Sequence, residues 1–177
     1  MNEKRVRPRM STRLLVMVAL LTAMQVVLSR FLSFAVWNMK IGFAFVPVVL
    51  AGMLFGPLAG ALVGGLSDLV GAILFPIGAY FPGFTLTAAL MGAVFGWLLN
   101  TKQSFPRICA AVAVNQLVLG LIVNSFWISM LYGSPYVALL GSRLLQYAIL
   151  VPVQIVVIWV LAKAMKPVRA AAIPQQG

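Results

Sequence analysis

Asp68 is the residue best placed to do chemistry in this chain, because it is the only acid outside the N-terminal segment that holds Glu3. The surrounding sequence is strongly apolar: 63% of all residues are hydrophobic and 8% are charged. An ionised side chain near the middle of a bilayer costs about 3 kcal/mol on insertion scales, so it persists only facing protein or a wet cavity. Asp68 therefore marks the interior of a bundle of membrane helices.

Arg143 is a candidate partner for Asp68. Arg143 follows Tyr136, near the start of its apolar segment, by seven residues, and Asp68 precedes Phe75, at the end of its own, by seven. At ~1.5 Å per residue, both side chains lie roughly 10 Å below the same surface. Two interpretations stay open, a salt bridge between the two helices or contact of one or both residues with a ligand.

Polar and aromatic residues gather toward that same side of the membrane. Gln116, Gly120, Asn124 and Trp127 share a helical stripe, and aromatic residues are concentrated in the loops there. Flat rings beside amide groups suit a planar heteroaromatic ligand, and Arg or Lys at the mouth suits a carboxylate tail. The alternative is an interfacial aromatic belt. The residues expected to bind a ligand are Arg30, Trp37, Lys40, Asp68, Tyr80, Phe81, Phe84, Thr85, Asn124, Trp127, Arg143 and Gln146.

Several other chemistries are excluded. The chain has no His and one Cys, so a metal site or His-based catalysis is not expected. Asp68 alone provides neither an acid–base pair nor a nucleophile, and no G-x-x-x-x-G-K-[ST] motif occurs. We expect no cofactor and no enzymatic activity.

The elements that must position these residues are membrane helices. A spanning helix needs about 20 apolar residues. The sequence predicts an all-α, polytopic membrane protein with six transmembrane helices, of which the second is short. The predicted spans are Leu14–Ser29, Ile41–Phe55, Leu58–Phe75, Pro82–Asn100, Pro106–Leu131 and Pro135–Lys163.

The net charge of +11 could suggest nucleic-acid binding, but the distribution of the cations along the chain instead indicates a membrane topology. With six spans, ten of the cations fall on one side, and the positive-inside rule places both termini in the cytoplasm. We therefore expect a basic cytoplasmic tail over residues 1–13, a transmembrane domain over 14–166, and a disordered cytoplasmic tail over 167–177. The ten cations are Lys4, Arg5, Arg7, Arg9, Arg13, Lys102, Arg107, Lys163, Lys166 and Arg169.

Small residues recur at four-residue spacing, which lets helix backbones approach closely in lipid. Gly60 and Gly64 lead to Asp68 at this spacing, so Asp68 shares their face. Because a lipid-exposed charge is costly, this face is predicted to pack against protein.

Three segments carry a resemblance to a known family. They are LSRFLSF (28–34), KIGFAFVPVVLAGMLFGPLAGALVGGLSDLVGAILFP (40–76) and YFPGFTLTAALMGAVFGWLL (80–99). Together they resemble the substrate-binding S components of energy-coupling factor (ECF) vitamin transporters, most closely the folate-specific members. The resemblance covers residues 14–163.

The resemblance implies a six-helix S component in a bacterial cell membrane, with a vitamin site open to the outside. It also implies partners, namely a transmembrane coupling subunit and two cytoplasmic ATPases. The family's A-x-x-x-A motif on the first helix matches Ala19 and Ala23, which are therefore expected to contact the coupling subunit.

The resulting hypothesis is a folate-binding subunit of an ABC-type importer. The pterin is expected to stack among Phe81, Phe84 and Trp127, with Asn124 and Asp68 on its edge. Arg30, Lys40 or Arg143 would balance the glutamate carboxylates. The alternatives are an S component for another vitamin or precursor, of queuine or pantothenate type, and a membrane scaffold that transports nothing.

Overall fold

The computed structural model describes the backbone of residues 12–36 and 39–172, and the side chains of residues 12–33 and 42–165. Trp37 lies outside the described residues, and of Lys40 only the backbone is described. The elements are α1 (Thr12–Arg30), β1 (Phe34–Val36), β2 (Met39–Ile41), α2 (Phe45–Phe55), α3 (Pro57–Leu74), α4 (Pro82–Leu99), α5 (Phe105–Ala113), a π-helical segment (Val114–Val123), α6 (Asn124–Tyr132) and α7 (Tyr136–Ala172).

The all-α fold class is confirmed. Within the described residues, five helices are long and apolar enough to cross a membrane, and α5, the π-helical segment and α6 together form one of them, Phe105–Tyr132. The remaining apolar helix, α2, has 11 residues and is therefore only about 16 Å long. The predicted shortness of the second span is therefore correct. The break before α3 is made by Gly56, which has φ of 90°, and by Pro57 at the first turn of α3.

A small antiparallel hairpin joins α1 to α2, and the sequence did not predict it. Strand β1 pairs with β2, with Ala35 opposite Lys40. The hairpin, the α3–α4 loop and the α6–α7 turn lie at one end of the bundle, here called the hairpin end. At the other end of the chain, α7 continues to Ala172, so residues 167–172 are helical where a disordered tail was expected.

Helices α3 and α4 are in backbone contact along a seam of small residues. A Cβ atom built on Gly92 would lie 2.0 Å from the carbonyl oxygen of Gly60, and one built on Gly64 would lie 2.3 Å from that of Ala88. Side chains larger than hydrogen cannot fit at these crossings without separating the helices. The predicted face of α3 against protein is confirmed, and it fixes Asp68 toward α4.

The fifth span is not α-helical throughout. Its π-helical segment has buried Gln116 and Gly120 facing neighbouring helices. Gly120 leaves room for Tyr147 of α7, whose ring would lie 2.9 Å from an added Cβ. Tyr136 of α7 donates a hydrogen bond to the carbonyl oxygen of Ile122 at the end of this segment. Through these two contacts α7 packs directly against the π-helical segment, a conformation that is rare in proteins.

Candidate functional site

Two adjoining cavities lie around Asp68 near the hairpin end. The first, here called the mouth cavity, has a volume of about 270 Å³ and is bordered by the α3–α4 loop. The second, the deep cavity, has a volume of about 590 Å³ and extends between α1, α2, α3 and α4. Four residues line both cavities: Arg30, Asp68, Ile77 and Phe84. Shared walls of this kind allow one ligand to occupy both spaces.

The carboxylate of Asp68 is oriented by Thr85 of α4. The Thr85 hydroxyl donates a hydrogen bond to Oδ2 of Asp68 at 2.7 Å, and it lies 3.3 Å from the hydroxyl of Tyr80. A hydroxyl has one proton, so Tyr80 must be the donor in the second contact. Among the side chains that the structure describes, no hydrogen bond reaches Oδ1 of Asp68, so this oxygen can accept from a ligand. Of the predicted site residues, Thr85 therefore contacts Asp68 directly, and Tyr80 contacts Thr85.

Arg30 lies across the junction of the two cavities. Its guanidinium packs against the backbone of Gly71, where an added Cβ would meet Nε and Nη2 at 2.9 Å. The Nε atom is buried and has no hydrogen-bond partner among the described residues. No carboxylate–cation pair joins Arg30 to Asp68 in that part of the chain. The guanidinium of Arg30, a hydrogen-bond donor, and the carboxylate of Asp68, an acceptor, therefore border the same space without forming an ion pair with each other.

The aromatic cluster predicted to stack a ligand is already packed. The rings of Phe81 and Trp127 have centroids 5.4 Å apart, and those of Phe81 and Phe84 are 6.1 Å apart, edge to face. The indole N–H of Trp127 donates to Thr87 at 3.0 Å. These spacings are typical of rings in direct contact, so the ring of a ligand does not fit between the paired side chains as they are placed here. Phe81 and Phe84 line the mouth cavity, whereas Trp127 is not part of its lining and packs against Phe81.

Arg143, Asn124 and Gln146 lie apart from the two cavities. Arg143 donates to the hydroxyl of Ser125 at 3.3 Å, and its guanidinium carbon is 6.0 Å from the ring centre of Tyr147. The possible Arg143–Asp68 salt bridge is therefore not formed. Gln146 is buried, and the Oδ1 atom of Asn124 is buried without a partner among the described residues.

For Asn124, which lies on the fifth span, a physical reason for this separation is the π-helical segment. The predicted stripe from Gln116 to Trp127 assumed about 3.6 residues per turn. Hydrogen bonds from i to i+5 change that periodicity and rotate everything beyond the segment about the helix axis. The residues after Val123 consequently face a direction that α-helical spacing does not give.

Several cavity residues were missed by sequence reasoning. Gln25 and Ser29 of α1 are four residues apart, and with Ser67 they add polar groups to the deep cavity. Their spacing was a usable signal, because two polar residues on one face of an apolar helix rarely face lipid. Gly64, which shares the predicted face of Asp68, also lines this cavity, whereas nothing in the sequence marked Phe45, Val48, Ala88, Met91 and Phe95 as cavity residues.

Ala19 and Ala23 lie on an exposed part of α1. Only 11% of the apolar window of this helix is buried inside the chain. The two alanines are one turn apart and so present a flat surface to whatever covers α1. Their contact with a coupling subunit stays a prediction, as do the roles of Trp37 and Lys40.

Comparisons with known proteins agree on one family. Residues 13–162 match the model of the ECF transporter substrate-specific component. The folate transporter FolT of Clostridium novyi (strain NT) is 38% identical over 146 residues, covering 82% of this chain and 85% of the relative. The FolT of Leuconostoc mesenteroides subsp. mesenteroides is 31% identical over 155 residues, covering 84% of this chain and 83% of the relative.

Solved structures show the same fold. A crystal structure of FolT bound with folic acid matches with a TM-score of 0.77 and 34% identity, covering 84% of this chain and 90% of that one. The S component of a bacterial ECF transporter matches with a TM-score of 0.61 and 25% identity, covering 87% of this chain and 98% of that one. With its apolar helices, the chain is a membrane protein of a transporter family. It belongs to the substrate-specific components of ECF transporters.

Proposed function

We propose that this chain is the folate-binding subunit of an ECF-type importer in a bacterial cell membrane. Two relatives above 30% identity are folate transporters, and one similar structure has folic acid bound. The observation that carries the proposal is local: Arg30 and Asp68 border the same pair of cavities, and among the described residues they form no ion pair with each other.

The chemistry of the cavity suits the two ends of folate. A carboxylate accepts two N–H bonds from an amino-pyrimidinone ring, and Asp68 has an oxygen free for this role. A guanidinium binds a carboxylate through two parallel hydrogen bonds, which suits Arg30 for the glutamate tail. The deep cavity, at about 590 Å³, falls within the range of roughly 300–1,000 Å³ found for small-molecule sites.

The hairpin end is assigned to the outside of the cell in this proposal. The clustering of Lys and Arg at the opposite end of the helices supports it, since cytoplasmic segments carry the excess of positive charge. Both termini then lie in the cytoplasm. Ala19 and Ala23 would contact a transmembrane coupling subunit, and two ATPases would supply the energy that this chain cannot obtain itself.

Two alternatives are distinguished by ligand binding. An S component for another vitamin would use the same fold with a different preference. A scaffold without transport activity would need no cavity, so two cavities lined by polar groups that lack partners among the described residues count against it.

The test is equilibrium binding of folic acid to the detergent-purified chain, with pantothenate and queuine as competitors. We expect a folic acid Kd below micromolar and no competition from the other two. Absence of binding below micromolar, or preference for a competitor, would contradict the assignment. The same preparation should release a ligand with a pterin absorbance band when it is denatured.

Gly71→Ala is expected to weaken folate binding by moving Arg30. The new methyl group would lie 2.9 Å from two guanidinium nitrogens, which can shift because they end a flexible side chain. Losing one charge-assisted hydrogen bond should raise the Kd about tenfold. Calorimetric titration measures the change.

A double-mutant cycle provides the control for this prediction. In an Arg30→Ala background, Gly71→Ala should have no further effect, because the group it displaces is gone. Equal weakening in both backgrounds would show that Gly71 acts by another route.

A further inference from the structure

We propose that the loop between α4 and α5 binds the phosphate group of an anionic phospholipid. The loop covers residues 100–104 and lies at the end of α4 opposite the hairpin end. Because α4 has 18 residues and is about 27 Å long, the loop is remote from the mouth cavity, and none of its residues lines either cavity. The proposed site, here called the loop site, consists of Lys102, Gln103 and Arg107.

The loop site carries positive charge that no acid balances. Lys102 is exposed in the loop, and Arg107 lies in the first turn of α5. Arg107 donates a hydrogen bond from Nη1 to the hydroxyl of Thr101 at 2.9 Å, and its other N–H groups have no partner among the described residues. The only acid in that part of the chain is Asp68, which lies near the hairpin end. No described side chain therefore neutralises these two cations.

The backbone at the start of α5 also favours an anion. The first N–H groups of an α-helix have no partner within the helix, and the helix dipole makes this end positive. Ser104 occupies the N-cap position, but its side chain makes no capping hydrogen bond, and the first turn contains no acid. Arg107 adds further positive charge to the same turn. A phosphate group is a favourable partner for a helix end of this kind.

Gln103 adds a buried donor to the loop site. Its Nε2 atom is buried and has no hydrogen-bond partner within the described part of the chain. A buried N–H group without a partner is rare in a folded protein, and an oxygen of a bound phosphate would satisfy it. The loop site thus offers charged side chains, an amide and backbone N–H groups, all of which donate to phosphate oxygens.

Two exposed aromatic rings indicate that the phosphate belongs to a lipid. Trp97, in the last turn of α4, is 75% exposed, and Phe105, at the start of α5, is 55% exposed. Tryptophan is enriched at the boundary between membrane and water, where its ring lies at the level of the lipid headgroups. The proposed topology places this loop at the cytoplasmic leaflet, whose anionic lipids attract basic segments. A lipid therefore supplies both the phosphate for the loop site and the acyl chains that cover the rings.

Lys102→Gln and Arg107→Gln test the charges of the loop site. Native mass spectrometry of the chain from a neutral detergent measures apparent Kd values for phosphatidylglycerol and for phosphatidylcholine. The wild type should bind phosphatidylglycerol about tenfold more tightly than phosphatidylcholine, and each substitution should weaken phosphatidylglycerol binding about fivefold. The matched control is Arg13→Gln, which removes an exposed cation of α1 and should change nothing. Equal binding of the two lipids by the wild type, or equal losses in Arg13→Gln and Arg107→Gln, would overturn the proposal.

Gln103→Leu tests the loop site at constant net charge. The substitution keeps the size of the side chain and removes the buried donor, so phosphatidylglycerol binding should weaken about fivefold. Because the Nε2 atom has no partner among the described residues, the melting temperature in detergent should stay at or above that of the wild type. A stable Gln103→Leu variant that binds phosphatidylglycerol as tightly as the wild type would reduce the interaction to general charge attraction and overturn the proposal.

A second measurement separates a lipid from a free phosphate. Phosphatidylglycerol brominated on its acyl chains should quench the fluorescence of Trp97, which is obtained as the difference between the wild type and Trp97→Phe. Millimolar inorganic phosphate should displace this lipid no more than sodium chloride of the same ionic strength. Stronger displacement by phosphate, or equal quenching in the wild type and Trp97→Phe, would overturn the assignment to a lipid.

Folic acid binding provides an independent readout of the same variants. None of the substituted residues lines either cavity, so all variants should bind folic acid as the wild type does. Failure of the wild type to bind folic acid would contradict the proposed function and leave the lipid measurements intact, so the two failures are distinguishable.

Discussion

Asp68→Asn is expected to weaken folate binding by about 100-fold, the largest effect of any single change in the cavity wall. The carboxylate of Asp68 has two acceptor oxygens, and Thr85 occupies one of them. In the asparagine variant, Thr85 keeps the remaining oxygen, and an NH₂ group faces the N–H donors of the ring. The loss of charged hydrogen bonds, about 1.5–3 kcal/mol each, and the new donor–donor contact act together.

The stability of the Asp68→Asn variant separates this effect from misfolding. A neutral amide is less costly than a carboxylate within a membrane bundle, so the melting temperature in detergent should stay equal or rise. Folic acid titration and thermal unfolding of the same preparation measure the Kd and the melting temperature, respectively. A stable variant that binds folic acid as tightly as the wild type would show that Asp68 serves structure alone.

Gly92→Ala is expected to destabilise the bundle by about 3 kcal/mol or more, since the added Cβ meets backbone rather than a flexible side chain. The clash is with the carbonyl oxygen of Gly60 at 2.0 Å. Relief requires separation of α3 from α4, which would also move Asp68 away from Thr85. At this chain length the loss corresponds to a melting temperature roughly 10 °C lower.

Gly141→Ala is the matched control for Gly92→Ala. Gly141 is also helical, yet an added Cβ there would meet nothing within 4 Å. Alanine favours helix over glycine by about 1 kcal/mol, so this variant should be as stable as the wild type or slightly more so. Equal melting temperatures for the two variants would contradict the close backbone contact at the seam.

The sequence predicted the structure correctly where one large free-energy cost, such as exposing a charge to lipid, excludes the alternatives. The charge of Asp68 had to face protein, and the spacing of Gly60 and Gly64 placed α3 against a neighbour. Both expectations are confirmed by the seam with α4 and by the hydrogen bond from Thr85. The short second span was also evident, because apolar length is read directly from sequence.

The sequence did not predict how each helix is rotated about its own axis, and therefore which neighbours its side chains face. Counting residues placed Arg143 at the depth of Asp68, yet Arg143 faces Ser125 and Tyr147. The π-helical segment has no sequence signature comparable to Pro or a cap, because it depends on packing such as that of Tyr147 on Gly120. Asn124 and Gln146 line neither described cavity, and their contact with a ligand stays a prediction.

The cavity on the α1 side was missed for a different reason. Gln25 is a neutral residue in an apolar helix, and the insertion cost that draws attention to Asp68 is far smaller for an amide. Only the packing of α1 against α3 reveals that Gln25 borders a space shared with Asp68 and Arg30.

An experimental structure of the chain with folic acid bound tests the central claim most directly. We predict ligand density that contacts Arg30 and Asp68 and continues from the mouth cavity into the deep cavity. Ligand density confined to the group formed by Arg143, Ser125 and Tyr147, with both cavities empty, would contradict the account.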